Sequence, residues 1–232
     1  MGALGAKKIS REVAKSQRFR RMAKVLPIQE YTMKAAKPVD PLKISIKQLT
    51  PALWNDLQEL FGEKGACGGC WCMYMRIGKG EKWADVKGSE AKHRLKAIVK
   101  NGTVRGLLAY SGIEPIGWCT FGKRTDFDRL NRARTLKCDD ANSVCSIPCF
   151  YIKNRYRKQG VASELLKAAV ALLEGEGQTI LEGYPVKPAK PGNKNIPGPF
   201  AWTGTIPMFE KQGFTLAGNP STSKLRYRRS RS

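Results

Sequence analysis

Residues Cys145 to Leu173 read CSIPCFYIKNRYRKQGVASELLKAAVALL, and this stretch decides the fold. Cys145 to Ile152 is a short apolar run of strand length. A basic turn follows, with Arg155, Arg157 and Lys158, and then Gly160. From there Val161, Leu165, Leu166, Ala169, Val170 and Leu173 recur at helical spacing. The order is strand, glycine loop, helix. The first N–H groups of a helix have no intrahelical partners, and the macrodipole adds partial positive charge there. A glycine at that point lets an anion approach the backbone closely. With three cationic side chains beside it, the loop reads as an anion cradle. An ordinary strand-to-helix connection with a basic cap is the plainer alternative.

Outward from this stretch the chain is globular from about residue 42. Leu42, Ile44 and Ile46 alternate with polar residues, as a half-buried strand does. Thr50-Pro51 predicts a helix start, with Thr50 as N-cap and Pro51 in the first turn. Lys87 to Lys100 predicts a second helix. Val104 to Tyr110 and Pro115 to Phe121 predict two strands joined by Ser111-Gly112-Ile113-Glu114. A charged helical excursion is expected over Asp126 to Leu136. After the long helix, Thr179 to Tyr184 predicts a strand that enters a Pro/Gly-rich loop from Pro185 to Pro199. Thr205 to Gln212 predicts a short helix stopped by Gly213. Final strands are expected at Phe214 to Leu216 and Lys224 to Tyr227. The expected class is α/β, with a mixed central sheet flanked by helices.

Composition narrows the function classes. The 232 residues, 41% hydrophobic, suit one domain with tails. No apolar run reaches the roughly 18–20 residues that span a bilayer, and no secretory segment is evident. Seven cysteines in a chain too long to need disulfides point to a reducing compartment. The cytoplasm is the expected location, with an organelle matrix as the alternative. The net charge of +23 attracts polyanions. Residues 1–40 read as a basic arm and linker, 41–228 as the folded domain, and 229–232 as a basic tail. The arm is open to three readings: a solvated tail, a presequence, or a segment that binds RNA or a ribonucleoprotein.

The R-x-x-G-x-A loop from Arg157 to Ala162, between CFYI and the apolar helix, resembles motif A of the GNAT N-acetyltransferase superfamily. Met208 to Phe214, MFEKQGF, is similar to that superfamily's C-terminal element. Gly69 to Tyr74, Gly106 to Tyr110, Ile116 to Cys119, Glu182 to Val186 and Phe200 to Thr205 carry phrases like those of uncharacterised bacterial and archaeal members. The resemblance covers most of residues 42–228. It implies the GNAT acyl-CoA N-acyltransferase fold, acetyl-CoA as cofactor, and an acceptor amine on a small molecule or protein. It also implies that backbone N–H groups from Arg157, Lys158, Gln159, Gly160, Val161 and Ala162 hold the pyrophosphate. The arm of the cofactor would lie along Cys149, Phe150, Tyr151 and Ile152, with the Phe150 N–H or its neighbour polarising the thioester. A structural or RNA-bound protein on the same fold is the competing reading.

The catalytic groups are less defined. Many members place a glutamate on the strand before the glycine loop; Ser146 falls near that place. Glu182 on the following strand is the candidate base, if apolar surroundings raise its pKa. The resemblance implies a tyrosine that protonates the departing thiolate, but Phe209 occupies that position and cannot donate a proton. Tyr184, Thr203 and Thr205 are the hydroxyls nearby. Asp139 and Asp140 are further acids. Cys70, Trp71, Cys72, Tyr74, Trp118 and Trp202 suit an apolar substrate pocket, or the core. Cys67, Cys70 and Cys72 lack the second ligand pair of a tetrahedral zinc site, so no metal is expected. His93, the only histidine, reads as a surface residue.

Overall fold

The computed structural model describes residues 42–187, 201–222 and 224–231. The basic arm 1–40, most of the Pro/Gly-rich loop, and Phe200 lie outside the described residues.

Seven strands form one sheet in the order β1-β2-β3-β4-β5-β7-β6. They are β1 (Ser45–Gln48), β2 (Arg105–Ser111), β3 (Glu114–Lys123), β4 (Val144–Ile152), β5 (Ile180–Gly183), β6 (Thr215–Leu216) and β7 (Tyr227–Ser230). The helices are α1 (Trp54–Phe61), α2 (Trp83–Val86), α3 (Ser89–Lys100), α4 (Asp128–Arg132), α5 (Val161–Gly175) and α6 (Ile206–Glu210). Only β4 and β5 pair in parallel, as a strand–helix–strand crossover through α5 requires. Ser111 pairs with Glu114 across a two-residue turn, the expected hairpin.

Strand alternation divides the core between two faces of the sheet. Leu107 and Ala109 join α5's Val161, Leu165, Leu166 and Ala169 on one face. Leu108 and Tyr110 join Leu57, Phe61, Ala91 and Leu95 from α1 and α3 on the other. α5 approaches β3 so closely that a Cβ on Gly117 would lie 2.8 Å from Val161 Cγ1 and 3.1 Å from Leu165 Cδ1.

Three local expectations are corrected. Thr50 makes no side-chain cap; Pro51–Leu53 is a 3-10 turn, and the α-helix begins at Trp54. The excursion at 126–136 breaks into 3-10 turns around a five-residue α4. Arg229 and Ser230, expected in a basic tail, lie in β7. There Arg228 and Arg229 pair with Asp140 and Glu174, so these cations are spent inside the domain.

β4 and β5 set up the site. They pair only over Val144–Ile147 and Ile180–Gly183, while β4 runs on to Ile152. β5 ends two residues before Pro185, which has no N–H to continue a ladder. The two strands therefore part, and a cleft opens beside the second half of β4.

Candidate active site

The cleft measures about 720 Å3 and is lined by Phe150 to Ile152 of β4, by Tyr156, Arg157, Lys158 and Gly160 of the loop, and by Val161, Ala162 and Ser163 of α5. Gly160 adopts φ 84°, a left-handed conformation that favours glycine, and a Cβ there would meet nothing within 4 Å. The space over the helix start is open. Arg157 turns back on the strand: its Nε donates to the Ile152 carbonyl at 3.1 Å and its Nη1 to Asn154 Oδ1 at 3.2 Å. Gln159 donates to the Arg155 carbonyl at 2.7 Å and does not line the cleft. Glu114, at the start of β3, accepts from Tyr156 and Lys153 at 2.7 and 3.0 Å and also from Arg155. The hairpin thereby fixes the glycine loop.

β4's main chain carries two donors on its open side. The Phe150 N–H donates to the Trp202 carbonyl at 2.6 Å. Lys153 N–H donates across to Ile116 of β3, so by strand alternation the Ile152 N–H faces the cleft with Phe150's. No hydrogen bond to the Ile152 N–H occurs among the described residues.

A second cavity, about 220 Å3, adjoins the first and shares Cys67, Phe150, Tyr151 and Trp202 with it. Cys70, Cys72, Tyr74, Trp83 and Cys149 complete its wall along with Ala66. Four of the six expected pocket residues line it: Cys70, Cys72, Tyr74 and Trp202. The other two are core. Trp71 is 3% exposed and packs on Trp54 and Phe61, while Trp118 is fully buried and donates its Nε1–H to Cys72 Sγ at 2.9 Å. Cys149, expected against the cofactor, lines this smaller cavity instead, with its Sγ 3.4 Å from that of Cys72. Burial pushes the Cys70 thiol up to about 12. The hydrogen bond with Cys72, then burial, pushes Cys149 well above a thiol's ordinary value. Both are neutral thiols and poor nucleophiles. The loop that carries Cys70 and Cys72 is strained: Ala66, Trp71 and Cys72 hold φ of 64°, 42° and 50°. Trp83 was missed because a short charged segment surrounds it in sequence, with no periodicity to flag it.

Glu182 and Tyr184 lie elsewhere. Glu182 is fully buried, and its surroundings are charged, not apolar. Arg124 (1% exposed) pairs with Oε1, which also accepts from the Tyr184 hydroxyl at 2.6 Å. Arg228 Nε donates to Oε2 at 2.7 Å, and Arg226 stands 3.7 Å away. Tyr184 also bonds Ser146 at 2.7 Å. Burial and the neighbouring Glu182 raise its pKa well above a phenol's ordinary value. Neither residue lines either cavity. This is a structural ion cluster, and both residues are withdrawn as catalytic groups.

The model of the acetyltransferase (GNAT) family matches residues 73–187. The chain belongs to this family. As a GNAT protein it is an acyltransferase by class. A structure from Acinetobacter baylyi ADP1, bearing a provisional acetyltransferase name, is 11% identical at a TM-score of 0.51, covering 83% of this chain and 94% of its own; the likeness establishes the shared fold. The PaiA N-acetyltransferase of Thermoplasma acidophilum, solved with coenzyme A, is 16% identical at TM-score 0.47, covering 82% of this chain and 99% of its own. No curated protein matches the chain.

Against the GNAT expectations, two departures stand. Phe209 is fully buried, packed edge-on against Phe150 and Phe214, and offers no proton. The Phe150 N–H, expected to polarise a thioester, is held by Trp202. His93 is exposed on α3, as expected of a surface residue. No helix among the described residues is long and apolar enough to cross a membrane.

Proposed function

We propose that the protein is an acetyl-CoA-dependent N-acetyltransferase acting on a primary amine. The observation that carries this reading is the parting of β4 from β5, which joins the open helix start at Gly160 to an apolar cavity through one continuous cleft. An anion cradle at one end and an apolar chamber at the other suit a donor with a pyrophosphate and a thioester. The cradle fits a pyrophosphate because the first N–H groups of α5 and Lys158 converge on space that no Cβ occupies. The Ile152 N–H is free to pair with an amide of the donor's arm. The Phe150 N–H becomes available to a thioester carbonyl once its bond to Trp202 opens. The acceptor amine enters from the smaller cavity. Its Cys70 and Cys149 thiols are neutral, which favours direct attack by the amine over an acyl-cysteine relay.

Calorimetric titration with acetyl-CoA tests the reading. The parent protein binds in the micromolar range. Gly160→Glu, which puts a carboxylate in the cradle, abolishes binding, and Lys158→Glu weakens it at least tenfold without the backbone change. No binding by the parent protein would overturn the proposal.

A further inference from the structure

The smaller cavity carries more information than the class of reaction. Its wall is formed by Cys70, Cys72, Cys149, Tyr74, Trp83 and Trp202 with their neighbours. Among the described residues no carboxylate, imidazole, ammonium or guanidinium lines it. The cations that do act near it are unfavourable to a second positive charge. The Arg129 guanidinium lies 4.0 Å from the Tyr74 ring centre, so that ring's face is already taken. Arg76 is half-buried over Phe127, and its Nε and Nη2 have no hydrogen-bond partner among the described residues.

An alkylammonium entering this space would lose its hydration with no carboxylate to replace it. It would also have to lose a proton where no side-chain base stands. An amine that is already uncharged at neutral pH meets neither obstacle. The walls favour a ring on that amine. Trp83 and Trp202 meet Tyr74 edge to face, at 5.2 Å and 84° and at 5.6 Å and 89°, an arrangement that one more flat ring extends. The volume, about 220 Å3, suits a single ring, since an apolar cavity of about 150 Å3 holds benzene.

We infer that the acceptor is a primary aromatic amine, bound through its ring among Tyr74, Trp83 and Trp202. The inference rests on the acetyltransferase reading above. In the transfer, the nitrogen lone pair forms the C–N bond to the acetyl carbon and the C–S bond breaks. The proton that the nitrogen sheds ends on the departing coenzyme A sulfur. Atoms and charge balance with no side-chain base, and with no tyrosine at position 209.

The test uses the full chain with saturating acetyl-CoA and separates acetylated products by chromatography. Three acceptors are compared: p-anisidine, 4-methoxybenzylamine and a lysine peptide with a blocked N-terminus. The aniline is the neutral member; the other two are mainly ammonium ions at neutral pH. The expected result is a kcat/KM for p-anisidine at least tenfold above both. Trp83→Ala, which touches only the smaller cavity, raises the KM for p-anisidine about tenfold and leaves acetyl-CoA affinity unchanged. Faster acetylation of either ammonium acceptor would overturn the inference, as would acetyl-CoA binding without any p-anisidine product. If acetyl-CoA itself fails to bind, the acetyltransferase reading falls separately. Ligand-observed NMR then decides the cavity's preference, and contact with p-anisidine but not with 4-methoxybenzylamine is required to keep it.

Discussion

Glu182 illustrates how the same residue reads differently alone and in place. In sequence it sits between leucine, glycine and tyrosine, which suggests an apolar setting. In the fold Arg124, Tyr184 and Arg228 occupy both its oxygens. Arg124 and Arg228 come from segments far away in the chain, so no local pattern announces them. Removing one member of a buried ion pair strands the others and costs about 3–5 kcal/mol. Glu182→Gln should therefore lower the unfolding free energy obtained from urea titration by an amount in that range while leaving acetyl-CoA affinity intact. Loss of turnover with unchanged stability would instead restore Glu182 as a catalytic base. The thiols show the same limit. Three clustered cysteines were legible as pocket or core, but Cys149 joins them only because β4 brings it within 3.4 Å of Cys72.

At the scale of elements, periodicity was the reliable guide. β4, α5 and the β2–β3 hairpin lie within a residue or two of where hydrophobic spacing puts them, because each buries a whole face or stripe. The ends of elements were less legible where tertiary contacts decide them, as at β7, which the arginine-rich sequence disguised as a tail. The cleft itself depends on where β5 stops, a length no periodicity encodes, although Pro185 marks it. Gly117 is the contact that fixes α5 against β3. Gly117→Ala forces Val161 away from its 2.8 Å approach, at a cost of about 1–3 kcal/mol. Val161 begins the helix that forms the cradle, so acetyl-CoA affinity should fall severalfold in the same variant, measurable by calorimetry. An unchanged affinity would mean the cradle does not depend on that packing.

Across the whole molecule the excess of cations leaves most acids engaged. Glu114 is held down to about 2 by Tyr156, Lys153 and Arg155, and Asp140 to about 2 by Arg228, against ordinary values of 4.5 and 3.8. A depressed carboxyl pKa contributes stability that is complete above the ordinary value and is lost as pH falls through the folded one. Stability should therefore decline between about pH 4.5 and 2, gradually, because solvent screens both groups. Urea midpoints across that range should fall, and Glu114→Gln should flatten the slope. A midpoint independent of pH there would rule out both pairs as contributors. Charge was legible in the sequence as a surplus; its distribution into pairs between distant strands was not.

The cluster around Glu182 also constrains descent. An exchange at position 182 leaves the buried Arg124 without its counterpart, and one at 124 or 228 takes a cation from one oxygen of Glu182, so these positions do not drift independently. Lineages should either keep all three ionic or replace them together by uncharged residues, whereas Tyr74 and Trp83, which face a cavity, are free to change singly as the acceptor changes.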